Sequence, residues 1–293
     1  MAKRFFSFLF PVKGDTKGEV VRKLIFIVAF IVLVVCVVKL SIYYADSLSN
    51  DAKNKQLASA FKEAPSSSSP VVSSKYPVGM LPKFQPFYDR NSDIKGWLTI
   101  PGTAIDLPVV EAADNDYYLT KGFDKQDDYH GALFLDFRDS VSQQSKNLII
   151  YGHNMQDGLM FHDLRDFQLI DTYKTSSVIT FYTIYGEYQW KVFAAFMANT
   201  EPKQGYVFNY LITDFSSDSS FTSFITEVKA RSLFNIPVDV QPGDSILTLS
   251  TCAYEFDGER LVVMARLVRS GEDLGVGTVT RNKSSLDPRS QMK

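Results

Sequence analysis

Cysteine and histidine are scarce in this chain of 293 residues, which contains two cysteines and three histidines. They form no CxxC or HxxxH pair, and this argues against a structural zinc site, which needs four closely placed ligands. Glycine-rich GGxG phosphate loops and nucleotide-binding motifs are also missing. The sequence therefore implies no cofactor.

An excess of charge of one sign is missing as well. The chain has 31 Lys and Arg residues and 33 Asp and Glu residues, which gives a formal net charge of −2. A protein without a basic excess has no bulk electrostatic attraction for nucleic acid. Apolar residues make up 45% of the chain and charged residues 22%, which is typical of a globular protein.

One long stretch contains no charged residue at all. Leu24 to Val38 reads LIFIVAFIVLVVCVV, and the apolar character continues past Lys39 to Ala45. A membrane-spanning helix needs roughly 20 apolar residues, and a lysine near its end can extend its ammonium group to the interface. We expect residues 24–45 to span a membrane once. The alternative is a cleaved signal peptide, although no clear small-x-small cleavage site follows.

The charges before this stretch predict its orientation. The basic residues there outnumber the acidic ones: Lys3, Arg4, Lys13, Lys17, Arg22 and Lys23 against Asp15 and Glu19. Cytoplasmic flanks of membrane helices carry the excess of Lys and Arg. Residues 1–23 are therefore predicted to be a cytoplasmic N-terminus of a single-pass protein of the cell membrane, and the chain after residue 45 is predicted to be extracellular.

Three further regions follow the apolar stretch. Residues 46–83 are rich in Ser, Ala, Lys and Pro, with only a weak helical pattern, and we expect them to form an extracytoplasmic spacer. Residues 84–269 contain repeated runs of β-branched and aromatic residues, which predict one β-rich domain. Residues 270–293 show no lasting periodicity, which predicts a disordered tail.

Eight segments of the β-rich region are predicted strands, because they are rich in β-branched and aromatic residues and are bounded by turn residues. They are 96–100, 105–110, 131–136, 147–152, 177–183, 187–198, 245–251 and 261–269. Between the sixth and seventh strands, DSSFTSFITEVKARSLFN has apolar residues at helical spacing. Eight strands with few helices predict a mainly β fold, a closed eight-stranded barrel with one helix in the long insertion.

Two of these strands end in residues that could carry chemistry. NLIIYGHN delivers His153 at its exit, and SILTLSTC delivers Cys252. The other cysteine, Cys36, lies in the apolar stretch, so the two cannot pair within one chain. A thiolate can attack a carbonyl while an imidazole protonates the leaving amine. Arg260 begins the next strand, and in an antiparallel hairpin it would lie beside Cys252, where a cation can stabilise an oxyanion.

Each of these residues also has a purely structural interpretation. A single cysteine after a strand is often a small buried hydrophobic residue, a histidine at a strand end is often exposed, and an arginine that opens a strand is often solvated. On that interpretation the chain would be a non-enzymatic surface-binding barrel with an inert thiol. The residue types alone leave both interpretations open.

A resemblance to a known family bears on this choice. TLSTC, followed by RLVVMARLV, resembles the active-site signature of the sortases, and YGHNM resembles their histidine motif, in the same order along the chain. Four further stretches are similar to class B sortases in particular: DIKGWLTIPGTAIDLPVV, DNDYYL, GALFLDFR and GLMFHDL. The resemblance covers roughly residues 84–269 and the N-terminal anchor. It implies the sortase-type barrel with a helix between strands six and seven.

The resemblance also implies a role for each candidate residue. Cys252 would be the nucleophile, His153 the general acid and base, and Arg260 the cation that stabilises the oxyanion or orients the substrate; Arg266 and Arg269 are the alternatives for that last role. The residues implied to contact substrate are Asn115, Leu119, Ser250 and Thr251. His130 and His162 match no catalytic motif and are expected at the surface. No third residue that orients the imidazole is assigned, although Asp157 follows His153 closely.

The function implied is that of a membrane-anchored cysteine transpeptidase of a Gram-positive bacterium. It would cleave the C-terminal sorting signal of a surface protein after a threonine and hold the fragment as a thioester on Cys252. An amine of peptidoglycan or of a pilin-like subunit would then accept the fragment. A thiol hydrolase that cleaves without transfer remains the enzymatic alternative, because the acceptor site has no short motif.

Overall fold

The computed structural model describes residues 10–65, 67, 69–202, 206–252 and 259–286, without the side chain of Cys252. The chain divides into two compact units, Met1–Lys53 and Asn54–Lys293. The first unit contains most of helix α1 (Lys17–Glu63), which includes an 18-residue window of mean hydropathy 3.1 with no buried residues. Within the described residues this is the one helix long and apolar enough to cross a membrane.

The second unit is built on a closed barrel of eight strands, as predicted. The strands are β1 (Ile94–Thr99), β2 (Asp106–Val110), β3 (Leu133–Leu135), β4 (Asn147–His153), β5 (Val178–Thr183), β6 (Gly186–Asn199), β8 (Ile246–Cys252) and β9 (Glu259–Leu267). Their order around the barrel is β1-β2-β3-β4-β8-β9-β6-β5. Each corresponds to one of the eight predicted segments, with ends that differ by a few residues.

Most neighbouring strands of the barrel are antiparallel, but two pairs are parallel. These are β2 with β3, and β4 with β8. β4 is buried along its whole length, and its residues are mostly β-branched or apolar, as expected for a strand with both faces covered. The parallel pairing brings the C-terminal ends of β4 and β8 to the same end of the barrel.

Short helices and two short strands complete the unit. They are the 3₁₀ helices Pro82–Phe84, Tyr117–Leu119, His162–Gln168 and Ile170–Lys174, the α-helices α2 (Gln85–Arg90) and α3 (Asp218–Arg231), and the strands β7 (Phe234–Asn235) and β10 (Thr280–Arg281). α3 is the predicted insertion helix. It buries Phe221, Phe224, Ile225 and Val228 in the barrel core, so its aromatic stripe is a packing surface.

The region predicted to be a spacer packs partly against the barrel. The last turns of α1 bury Leu57 and Phe61, and the Phe61 ring stacks on Trp97 of β1 with centroids 4.3 Å apart and ring planes 6° apart. Phe84 and Phe87 belong to the same apolar cluster, which is separate from the main core of the barrel. The spacer was expected to be partly helical, and the helix does continue to Glu63. Residues 54–63 differ from a free spacer in that two large apolar side chains, one helical turn apart, dock this end of the helix.

The tail also differs from the prediction of disorder. Between residues 270 and 286 the chain runs along the domain, where β10 pairs with β7 and Val276 is buried in the core. The amide groups of Asn282 and Leu286 donate hydrogen bonds to the carbonyl oxygens of Leu233 and Ala230. Backbone pairing of this kind leaves no hydrophobic period in the sequence. Residues 287–293 of the predicted tail lie outside the described residues.

Candidate active site

His153 and Cys252 are paired residues at the ends of two adjacent parallel strands. Seven consecutive pairs join β4 to β8, from Asn147 with Ile246 to His153 with Cys252. The side chain of Cys252 lies outside the described part of the chain, and only the backbone of this residue is placed here. This register brings together the two strand ends that the sequence singles out.

β4 stops at His153 because the chain turns back immediately after it. Residues 154 and 160 form an isolated antiparallel bridge, and the amide of Phe161 donates to the carbonyl oxygen of His153 at 2.8 Å. The turn that results, residues 154–160, is called the exit loop below. It holds the backbone of His153 through the hydrogen bond from Phe161.

The imidazole of His153 is oriented by a main-chain carbonyl group. Its Nε2 lies 2.7 Å from the oxygen of Leu119, and the side chain is 5% exposed. A carbonyl oxygen only accepts hydrogen bonds, so Nε2 carries the proton and donates. Nε2 is therefore engaged with the Leu119 carbonyl group. The sequence offers no signal for this contact, because the orienting group belongs to the backbone.

The surroundings of His153 favour its neutral form. Burial lowers the pKa of the imidazole, and the positive charges of His130 and Arg260 lower it further. The hydrogen bond to Leu119 opposes these effects without cancelling them. The imidazole is therefore largely unprotonated at neutral pH, and the imidazolium form is a minor species.

Arg260 lies near the start of β9, the strand next to β8 in the barrel. Its Nη1 donates to the carbonyl oxygen of Thr251 at 3.0 Å. The pairing of β8 with β9 extends as far as Ser250 with Val262, and Arg260 lies two residues beyond Val262 towards the start of β9. β8 and β9 thus form the antiparallel pair predicted from the sequence, and the place of Arg260 beside Cys252 stays a prediction.

The two alternative arginines lie elsewhere. Arg266 pairs with Ile246 at the other end of β8 and donates to the carboxylate of Glu272 at 2.6 Å. Arg269 donates to Asp244 at 2.7 Å. Both guanidinium groups thus form ion pairs remote from the end of the barrel that carries His153.

A groove of about 580 Å³ opens beside Arg260. Asn115 and Leu119 line it, together with Tyr151 and residues 207–211, which form one wall. Two buried side chains anchor this wall: the Phe208 ring stacks on Phe224 of α3, and the Tyr210 hydroxyl lies 2.9 Å from the hydroxyl of Ser250. The groove is thus shaped by loops that are fixed to the barrel.

The four residues expected to contact substrate are placed differently from one another. Asn115 lines the groove, and its amide is oriented by Asp136, to which it donates at 3.1 Å. Ser250 reaches the groove only through its hydrogen bond to Tyr210. The hydroxyl of Thr251 accepts from the amide of Leu261 at 3.1 Å, so it joins β8 to β9. Among the described lining residues, only Asn115 and Leu119 of the four are present.

The surface prediction for His130 is wrong. Its side chain is 2% exposed and lies between two carboxylates, with Nδ1 3.1 Å from Asp128 Oδ1 and Nε2 2.7 Å from Asp157 Oδ2. His162 is half-buried, with Nδ1 against the carbonyl oxygen of Met155. Sequence spacing gives no sign of the His130 pair, because Asp157 is brought to it only by the fold.

No group of three or more His, Cys, Asp or Glu side chains is arranged to hold a metal ion within the described residues. The groups gathered at this end of the barrel are instead a cysteine, a histidine and an arginine on three successive strands, β8, β4 and β9. A thiol, an acid–base group and a fixed cation are the requirements of acyl transfer through a cysteine. The site therefore has the composition of a cysteine acyltransferase or peptidase.

Comparison with known proteins defines the family. The family model of the sortase domain matches residues 98–268, and the chain belongs to the sortase family. It is 34% identical over 201 residues to sortase B of Staphylococcus aureus (strain NCTC 8325 / PS 47), which covers 68% of this chain and 80% of that protein. It is 37% identical over 180 residues to sortase B of Listeria monocytogenes serovar 1/2a (strain ATCC BAA-679 / EGD-e), with 61% and 71% covered.

Solved structures of sortase B have the same fold. A Staphylococcus aureus sortase B–substrate complex aligns with a TM-score of 0.67 and 31% identity, over 78% of this chain and all of that one. Sortase B from Bacillus anthracis in complex with AAEK1 aligns with a TM-score of 0.67 and 31% identity, over 77% and 99%. The resemblance to class B is thereby confirmed. The chain is a cysteine transpeptidase, a sortase of the kind that anchors surface proteins.

Proposed function

We propose that this sortase cleaves the C-terminal sorting signal of surface proteins after a threonine, holds the threonyl fragment as a thioester on Cys252, and transfers it to an amine. The observation that carries the proposal is the pairing of His153 with Cys252 at the ends of β4 and β8. Arg260 on β9 supports it, because its guanidinium is held at the residue before the cysteine.

In the first half-reaction the Cys252 thiolate attacks the threonine carbonyl carbon. The negative charge that develops on the carbonyl oxygen is stabilised by the guanidinium of Arg260. The peptide C–N bond then breaks, and the imidazolium of His153 gives its Nδ1 proton to the departing amine. The products are a thioester and a shortened leaving peptide with a free amino group.

In the second half-reaction an acceptor amine attacks the thioester carbonyl carbon. The neutral Nδ1 of His153 takes a proton from the amine, the C–S bond breaks, and the Cys252 thiolate is restored. We propose peptidoglycan or a pilin-like subunit as the source of the amine. A thioester favours this transfer because amines attack it readily where water is kept away.

Recognition of the sorting peptide is proposed to fall to the groove. Asn115 and Leu119 line it beside Arg260 and are proposed to contact the peptide directly. For Ser250 and Thr251 we propose indirect roles, because their hydroxyls are bonded to Tyr210 and to the backbone of Leu261. Ser250 would set the position of the groove wall, and Thr251 that of the strand that carries Arg260.

We further propose that residues 24–45 anchor the protein in the cell membrane of a Gram-positive bacterium, with the catalytic domain outside. The support is the apolar window of α1 and the basic residues that precede it. Protease added to intact protoplasts should then remove the catalytic domain and leave a short N-terminal fragment. Protection of the domain would contradict this topology.

The proposal is tested by trapping the thioester. The full chain in detergent is mixed with a peptide library in which only the threonine at the scissile bond is fixed, and the protein is examined by intact-mass spectrometry. We expect an acyl adduct on the wild type, none on Cys252→Ala, and an unchanged adduct on Cys36→Ala, the matched cysteine control. Added triglycine should convert the adduct to a peptide product. Release of free acid alone would indicate a hydrolase, and turnover by Cys252→Ala would refute the mechanism.

A further inference from the structure

We propose that His130, clamped between Asp128 and Asp157, is a positioning residue that holds the hydrogen bond between Leu119 and His153 in place. The inference rests on the proposed function, because it assigns His153 its catalytic role. His130 would act through the backbone around Leu119 and would not touch the substrate.

The clamp joins the two segments that flank His153. Asp157 belongs to the exit loop, which begins directly after His153, and its carboxylate lies 2.7 Å from His130 Nε2. Asp128 belongs to the same turn as His130 and lies 3.1 Å from Nδ1. A single side chain thus ties the exit loop to the turn of residues 128–131.

That turn touches both partners of the catalytic hydrogen bond. Gly131 has a φ of +63°, and a Cβ atom added there would come within 2.5 Å of the oxygen of Tyr118, 2.9 Å of the oxygen of Leu119 and 3.2 Å of Cδ2 of His153. Only glycine fits this conformation and this space. A shift of the turn must therefore move the Leu119 carbonyl, the imidazole, or both.

Backbone hydrogen bonds carry the position of the turn to Leu119. The amide of Asp128 donates to the oxygen of Thr120, and the amide of Ala132 donates to the oxygen of Tyr118. Leu119 lies between these two acceptors in the chain. His130 thus fixes one side of the segment whose middle carbonyl orients His153.

The charges of the clamp explain why it is firm. Burial alone would lower the pKa of His130, but the hydrogen bonds to Asp128 and Asp157 raise it above its usual value. The imidazolium form donates from both nitrogens, one to each carboxylate. If His130 is removed, the carboxylates of Asp128 and Asp157 lose the cation that lies between them. Removal of one partner from a buried ion pair is strongly destabilising, because the charge that remains is no longer compensated by it.

The expected effect of His130→Ala is a loss of catalysis with little loss of binding. A misplaced catalytic group lowers turnover by up to about 100-fold for a displacement near 1 Å. We expect kcat to fall about 10- to 100-fold and KM to change far less, because the clamp acts on the main-chain carbonyl group of Leu119, while Asn115 and Arg260 are held by other contacts. The charge of His130 lowers the pKa of His153, so His130→Gln should also move the acidic limb of the rate profile to higher pH.

A set of variants of the full chain tests the clamp. Asp157→Ala should match His130→Ala, and the double variant should lose no more than either single variant, since both break one link. Asp157→Asn keeps an oxygen that accepts from His130 and should recover part of the loss. His162→Ala is the matched control: His162 bonds to the exit loop at Met155 but does not reach the turn, and its removal should leave kcat unchanged.

A second readout needs no substrate. The chain has three histidines, so ¹⁵N-histidine labelling gives three resolvable ring systems, and the nitrogen shifts report which tautomer each ring adopts. We expect the Nε2–H tautomer for His153 in the wild type and a mixture of tautomers in His130→Ala. If His130→Ala does not fold, the tautomer of His153 is compared in His130→Gln, Asp157→Ala and Asp157→Asn instead.

The inference is overturned if folded His130→Ala retains kcat within about twofold of the wild type, or if His162→Ala loses as much. It is overturned equally if the loss follows thermal stability while the tautomer of His153 and the acidic limb stay fixed. Failure of the proposed function would look different: the wild type would form no thioester, while the tautomer experiment would still report on the clamp.

Discussion

The guanidinium of Arg260 donates a hydrogen bond to the carbonyl oxygen of Thr251, the residue that precedes Cys252 in the chain. Arg260 is therefore fixed to the backbone of β8, the strand that ends at Cys252. A cation held in this way needs no rearrangement when charge develops beside it, which is the condition for strong electrostatic catalysis.

Replacement of Arg260 should lower the rate of thioester formation. Loss of a donor aimed at an oxyanion typically costs a factor of roughly 10²–10³, and we expect a loss of this size for Arg260→Ala. Arg260→Lys keeps the charge but loses the planar fork that can bond Thr251 and an oxyanion together, so it should recover only part of the rate. Single-turnover kinetics with a quenched fluorescent peptide measure both variants.

Arg269→Ala is the matched control for this experiment. Its guanidinium pairs with Asp239 and Asp244 at the other end of the barrel, so its removal should leave the single-turnover rate within about twofold of the wild type. If Arg260→Ala behaved like Arg269→Ala, the cation at the site would have no catalytic role.

The rate of the wild type should follow a bell-shaped curve against pH. Catalysis needs the Cys252 thiolate and the His153 imidazolium together, and the pKa of His153 is lowered from 6.5 by burial and by nearby positive charge. The acidic limb should therefore lie below pH 6.5, and the alkaline limb should follow the thiol, whose ordinary pKa is about 8.5. Only a minor fraction of enzyme then carries both charges, and turnover should be slow. An acidic limb above 6.5 would contradict the effect of burial on His153.

The end of helix α1 should stabilise the barrel through Phe61. Deletion of a buried phenylalanine side chain costs about 3–5 kcal/mol, and we expect Phe61→Ala to lower the free energy of unfolding by this order. Leu48→Ala is the matched control, because Leu48 lies on the same helix but is 69% exposed. Denaturant titrations followed by tryptophan fluorescence suit the measurement, since Phe61 stacks on Trp97. Equal midpoints for the two variants would show that the helix end adds nothing to the barrel.

Asp139 should make the domain less stable as the pH rises. Burial raises the pKa of its carboxyl group to about 7, and the nearby charge of Asp136 adds to this; one oxygen, Oδ1, is buried without a hydrogen bond. The native state thus keeps a proton that the unfolded chain has already released above about pH 4. Stability contributed by the protonated form is complete below pH 4 and declines up to about pH 7, by up to about 1.4 kcal/mol per pH unit.

Asp139→Asn should remove this pH dependence. The variant should equal the wild type near pH 4 and exceed it in melting temperature at pH 8. Asp171→Asn, at an exposed position of the same domain, should follow the wild-type curve throughout. A wild-type curve that rises between pH 4 and pH 7 and is matched by Asp139→Asn would show that Asp139 ionises freely in the folded protein.

The barrel could be predicted from sequence because each of its strands carries its own signal. In β4 and β8, for example, a continuous run of apolar and β-branched residues bounded by turn residues identifies a buried strand without any knowledge of its partners. The same pattern placed His153 and Cys252 at the ends of their strands. The parallel pairing of β4 with β8 was less accessible, because nothing in either strand states which neighbour it takes.

The contacts around the site that could not be predicted have no local pattern. The carbonyl group of Leu119 orients His153, but every residue has a carbonyl group, so the sequence cannot single this one out. Asp157 meets His130 only after the exit loop and the turn of residues 128–131 have folded against each other. The end of helix α1 docks through Phe61, a single aromatic residue in a polar segment. The tail is held by the backbone pairing of β10 with β7, which leaves no pattern in the sequence.

Residues 207–210 alternate between exposed and buried side chains along the groove wall. All four residues line the groove, but Phe208 and Tyr210 are buried and anchor the wall, whereas Val207 and Asn209 are exposed. Phe208 and Tyr210 thus attach the wall to the domain, and Val207 and Asn209 are its exposed side chains. A saturation library at Val207 and Asn209 would therefore vary what the wall presents to a peptide, while the strands that carry His153, Cys252 and Arg260 remain as they are.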